Sequence, residues 1–66
     1  MNSNKLKAKI IEKGFIVAGF SEAIEMGYSA LNRRMNNLEK FSIGEAKTIK
    51  EVLNLSDEEA TSIFFD

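Results

Sequence analysis

Two four-residue stretches, "SIGE" (Ser42 to Glu45) and "SDEE" (Ser56 to Glu59), do most to limit what this chain can fold into. In each, a serine precedes a glutamate by three positions. At that spacing the serine side chain accepts a hydrogen bond from the glutamate amide, and the carboxylate accepts one from the serine amide. Each pair therefore marks a helix start. Behind Ser42 follow Ala46, Ile49, Val52 and Leu53, an apolar stripe of helical period. Behind Ser56 the acids Asp57, Glu58 and Glu59 suit the positive end of a helix dipole, and Ile63 and Phe64 anchor the segment.

The rest of the chain fits the same period. Asn2 to Lys13 reads as a helix with Leu6 and Ile10 one turn apart and Ile11 beside them, capped by Ser3 or Asn4 and ended by Gly14. "GFIVAGF" (Gly14 to Phe20) has the composition of a short strand, but no second alternating run exists to pair with it. A helix over Val17 to Glu25, with Phe20 and Ile24 inward, is the better assignment. Tyr28 to Asn36 forms another helix, with Leu31 and Met35 inward and Asn36-Asn37 at its end. The expectation is one all-α domain over residues 1–66, of five short helices. Phe15, Phe20, Phe41 and Phe64 are its candidate core aromatics.

Sixty-six residues bury only ~60% of their unfolded surface, so such a domain is marginal unless its core is efficient or it associates. Cysteine and histidine are both absent. That removes disulfides, the commonest general base and the commonest zinc ligand together. No catalytic step, metal, cofactor or small-molecule substrate is expected. The longest apolar run, Phe15 to Phe20, falls far short of the ~20 residues that span a bilayer, and no signal peptide follows the N-terminal lysines. A cytoplasmic protein with no membrane partner is expected.

The net charge of −1 conceals an uneven spread. Residues 1–40 hold seven basic and four acidic side chains, a net +3; residues 41–66 hold two and six, a net −4. Within the basic part, "GYSALNRRMNN" (Gly27 to Asn37) has two arginines, three asparagines, a serine and a tyrosine, and no acid. At about 100° per residue, Leu31 and Met35 define its buried side and Arg33 points the opposite way, flanked by Ser29, Asn36 and Asn37. Asn32 and Arg34 lie at the borders, and Tyr28 falls nearer the core side. Arginine can bridge guanine O6 and N7, and asparagine adenine N6 and N7, in the major groove. The plainer alternative is a solubilising surface. A short helix, a tight turn at Met26-Gly27 and a second short helix favour the first reading, because a helix-turn-helix lays its second helix in that groove.

Phe20-Ser21, Ile24, Met26 and then "LNRRMNN" (Leu31 to Asn37), followed by "FSIGE" and the ending "LSDEEATSIFF", resemble the phage Cro/CI-type, xenobiotic-response-element helix-turn-helix repressors. The resemblance covers nearly the whole chain. It implies a lambda-repressor-like five-helix domain that occupies double-stranded operator DNA and blocks transcription in a bacterial host cell, at the nucleoid. Carried over by position, base-reading roles fall on Tyr28, Ser29, Asn32 and Arg33, to which the outward Asn36 adds a fifth. The Thr/Ser-Gln pair usual at the start of the motif is here Ile16, Val17 and Ala18, and the usual turn glycine is Glu25, with Gly27 two residues later.

Phosphate contacts are expected from Arg34, Asn37 and Lys40. Lys5 and Lys9 oppose the dipole of the first helix, so they, with Lys7, are either further phosphate contacts or a solvated face. Ile63, Phe64 and Phe65 are consecutive and one helix face cannot bury all three. Phe65 either closes the end of the core or stands exposed as a homodimer contact. The rival class is a helical protein-interaction module, antirepressor- or antitoxin-like, that turns the Arg/Asn face to an acidic protein.

Overall fold

The computed structural model describes residues 1–65; Asp66, counted among the acids of the C-terminal half, lies outside them. Five helices follow in order: α1 (Ser3–Glu12), α2 (Val17–Ala23), α3 (Tyr28–Met35), α4 (Ile43–Val52) and α5 (Asp57–Phe64). No strand occurs among the described residues, so the all-α expectation holds. Both capping boxes form. Ser42 N donates to Glu45 Oε1 at 2.8 Å while Glu45 N donates to Ser42 Oγ at 3.0 Å. The Ser56–Glu59 pair repeats this at 2.9 and 3.1 Å. The cap of α1 is neither Ser3 nor Asn4 but Asn2, whose Oδ1 accepts from Lys5 N at 3.1 Å. The start of α1 is tied to the far end of the chain as well, because Asn2 N donates to Ile63 O at 2.7 Å.

Helices α1 to α4 all stop in the same way. Gly14, Glu25, Asn37 and Asn54 follow them with φ of 90°, 57°, 61° and 51°. Two backbone bonds close each end; after α2 these are Glu25 N to Glu22 O at 3.0 Å and Met26 N to Ser21 O at 2.9 Å. This is the Schellman arrangement, in which a left-handed residue lets the chain reverse and satisfies the last carbonyls. Glycine and asparagine enter that conformation readily; glutamate does not. It makes α2 two residues shorter than the spacing of its apolar residues suggests.

Leu6, Ile10, Phe20, Leu31, Ile49 and Leu53 are fully buried and form one core with Ile24, Leu55 and Ile63. Phe15 meets Phe20 edge-on at 5.5 Å, and Phe41 meets Phe64 at 5.9 Å. Each fully buried side chain of this size contributes about 1.5–3 kcal/mol. Two positions differ from expectation. Ile11 is exposed, since the stripe of α1 is only wide enough for Leu6 and Ile10. Leu55, which the helical stripe did not include, is buried because the turn after α4 folds it back under the domain. The radius of gyration is 10.5 Å, against about 10.8 Å for a globular chain of this length.

α1 packs on both α2 and α5. Lys9 clips the second contact, bridging Glu12 at 2.9 Å and Glu59 of α5. The Lys9 ammonium and the Ser56 amide together hold the Glu59 carboxyl down at about 2.

Candidate nucleic-acid interface

Helices α2 and α3 pack against each other across the turn Ile24–Gly27. Phe20 on α2 and Leu31 on α3 are both fully buried, and they fix the pair to the core. Ser21 is buried too, with its hydroxyl donating to Ala18 O at 2.6 Å. Turning Leu31 inward leaves a row of exposed residues along the other side of α3: Tyr28, Ser29, Arg33 and Asn36, then Asn37 past its end. Asn32 and Met35 are half-buried at the borders. Tyr28 is 51% exposed, so it joins the outward row and not the core side expected for it.

The start of α3 is open. Its N-cap is Gly27, which has no side chain to offer, so the first-turn amides receive no side-chain cap. α2 begins in the same state after Ile16.

The two adjacent arginines have different surroundings. Arg34 is only 18% exposed and lies among carbonyl and carboxylate oxygens. Its Nε donates to Glu45 Oε1 at 3.1 Å, its Nη1 donates to Ala30 O at 3.2 Å, and Glu39 Oε2 is 3.4 Å from the same Nη1. Glu45 is the carboxylate of the Ser42 box, so one oxygen serves both the start of α4 and the end of α3. Arg34 thus ties α3 to α4 and has little freedom to reach a phosphate. Arg33 is 49% exposed, and its single partner among the described residues is Glu39, whose Oε1 accepts from Nε at 2.9 Å. The sequence reading missed Glu39 entirely. It is six residues from Arg33, a spacing that no single helix face brings together, and only the reversal at Asn37 makes the contact.

The other basic candidates divide likewise. Lys5 and Lys9 face α5, where Lys5 Nζ donates to Ser62 Oγ and Lys9 meets Glu59. They belong to the α1–α5 seam. Lys40 is exposed in the α3–α4 loop and makes no ion pair among the described residues. At the end of α3, Asn36 and Asn37 share a shallow polar cleft with Asn2 and the exposed Asn4, which extends the asparagine surface beyond the one helix in which the sequence reading placed it. Phe65 is 82% exposed, and with Ile43, 89% exposed, it edges a groove floored by Phe41, Ala46 and Phe64.

No protein-family model, curated protein or solved structure matches the chain. Its geometry is therefore the ground for any functional reading. No helix among the described residues is long and apolar enough to cross a membrane.

Proposed function

We propose that this chain is a sequence-specific double-stranded DNA-binding repressor of the Cro/CI kind, which occupies operator DNA by laying α3 in the major groove. The observation that carries this reading is the outward row Tyr28, Ser29, Arg33 and Asn36, with Asn32 at its border, on a short helix buttressed by α2. An α-helix with its side chains is about 10–12 Å across, which suits a major groove about 12 Å wide, and eight residues give α3 about 12 Å of length within it. Donors of fixed geometry fill the face, and the Glu/Lys pairs of an ordinary solvated helix are missing from it. Phosphate contacts come from Lys40 and Asn37 at one end of α3, and from the open amides of its first turn at the other. Phe65 and Ile43 supply the apolar contact of a homodimer, whose half-sites would lie roughly 34 Å apart. The setting is the bacterial cytoplasm, at the nucleoid, and no cofactor is required.

A second reading keeps the same face but gives it an acidic protein as partner. It is favoured by the internal engagement of Lys5, Lys9 and Arg34, which leaves few cations for a phosphate backbone. Selection from random duplex DNA separates the two readings. Enrichment of a defined site, with affinity falling steeply as salt rises, supports the repressor. On that site Arg33→Ala is expected to lose about 1–3 kcal/mol at particular base pairs, whereas Lys40→Ala lowers the salt slope by about one and keeps the sequence preference. If no duplex is enriched, the DNA reading fails and the protein partner takes its place.

A further inference from the structure

Which edge of the Arg33 guanidinium is available depends on Glu39. The backbone sets up the contact: Asn37 adopts φ 61°, and Leu38 N donates to Arg33 O at 2.9 Å, so the loop folds back over the last turn of α3. Glu39 then stands beside the Arg33 side chain and takes its Nε hydrogen at 2.9 Å. Glu39 is itself braced. Its other oxygen is 3.4 Å from Arg34 Nη1, and Arg34 is held by Glu45 and by the Ala30 carbonyl. A line of contacts thus runs from the α4 capping box through Arg34 and Glu39 to the exposed Arg33.

A guanidinium binds acceptors through its Nε side or through its two terminal nitrogens. Glu39 occupies the first edge. The terminal nitrogens of Arg33 have no hydrogen-bond partner among the described residues. They are the pair that reaches guanine O6 and N7 end-on. We infer that Glu39 is a specificity-determining positioning residue: it locks Arg33 with the terminal nitrogens outward, so that Arg33 reads guanine in preference to sweeping across neighbouring phosphates. This rests on the DNA-binding reading above. An exposed ion pair of this kind adds little to stability, so the value of the contact lies in orientation. The carboxylate also carries a negative charge toward the duplex, which weakens binding to every sequence alike. Glu39 lowers total affinity and raises discrimination.

The test uses the full chain, the duplex site selected by the wild type, and a set of duplexes changed at the base pair that Arg33→Ala no longer distinguishes. Circular dichroism confirms that each variant is folded. Glu39→Ala is expected to bind random-sequence duplex more tightly than wild type, and its preference for the correct base pair should fall roughly tenfold, the order of a lost bidentate contact. Glu39→Gln keeps an oxygen acceptor for Nε without the charge. It should share the rise in affinity and keep the preference within about twofold of wild type. That split separates orientation from charge. If the alanine variant is too unstable to measure, Glu39→Ser, whose side chain is too short to reach Nε, takes its place with the same expected loss of preference. The inference is overturned if Glu39→Ala keeps the full preference, or if Glu39→Gln loses as much as alanine. Both outcomes differ from failure of the underlying reading, in which the wild type selects no site at all.

Discussion

Three helices of this domain start under a side-chain cap, and two do not. Asn2, Ser42 and Ser56 close α1, α4 and α5, and the two serines do so with reciprocal glutamates. α2 and α3 begin after Ile16 and Gly27 with their first amides uncapped. Among the described residues, the turn between them is the one place where a glutamate sits in a left-handed conformation that glycine or asparagine takes elsewhere. After α1, α2 and α4 the residue that follows the left-handed position packs toward the core, as Phe15, Met26 and Leu55; after α3 it is Leu38, which is 74% exposed. The scaffold helices satisfy themselves. The α2–α3 pair holds its place through Phe20 and Leu31 and leaves its N-terminal amides and one face of α3 open. Local stability and surface availability are in opposition here, and the sequence assigns them to different helices.

The largest effect expected from this contrast is on the capped side. Ser42→Ala removes the hydroxyl that accepts from the Glu45 amide, so it should destabilise by about 1–2 kcal/mol, within the range for cap loss. Ser56→Ala should lose about as much, because in each box the glutamate keeps its backbone donor and its cation, Arg34 for Glu45 and Lys9 for Glu59. Denaturant unfolding of the two variants measures the difference. A clear difference would mean that one glutamate leaves its cation when the serine hydroxyl is lost.

On the uncapped side the strained turn predicts the opposite sign. Glu25→Gly should stabilise the domain, by up to about 1 kcal/mol, because glycine adopts a φ near 57° without the steric conflict of a Cβ. A loss of stability on this substitution would show that the Glu25 side chain makes a contribution larger than the strain.

Much of the fold was legible because it is encoded locally. Two capping boxes, Gly14, Asn37 and the three- and four-residue spacing of Leu6, Ile10, Phe20, Ile24, Leu31, Ile49 and Ile63 each report on a few neighbouring residues. The misses that involve contacts between elements share one cause. Leu55 enters the core, Glu39 reaches Arg33, and Arg34 joins α3 to α4 only because the chain reverses at Asn54 and Asn37. A helical wheel treats each helix alone and cannot see across such a reversal. Lys5 and Lys9 were ambiguous for the same reason: their partners Ser62 and Glu59 lie at the other end of the sequence. The Arg/Asn face, by contrast, was nearly complete from the spacing of Leu31 and Met35. Tyr28 alone moved, from the core side to the exposed row.

The smallest change in stability offers the sharpest test of the contrast itself. Gly27 has φ −62° and ψ 145°, ordinary N-cap values, and a Cβ added there would meet nothing within 4 Å. Serine or aspartate therefore fits, and each can cap the amides that α3 leaves open. The expected gain is only a few tenths of a kcal/mol, because glycine is already a tolerable cap. Binding should move the other way. If the first turn of α3 docks on a phosphate, Gly27→Ser supplies an internal competitor for those amides, and Gly27→Asp adds repulsion that should weaken operator binding at least roughly threefold at low salt. Thermal unfolding and a duplex titration on the same samples give both quantities. Should Gly27→Asp raise stability while leaving operator affinity untouched, the open end of α3 would be an uncapped helix and nothing more, and the division between self-sufficient and outward-facing helices would rest on the Arg33 face alone.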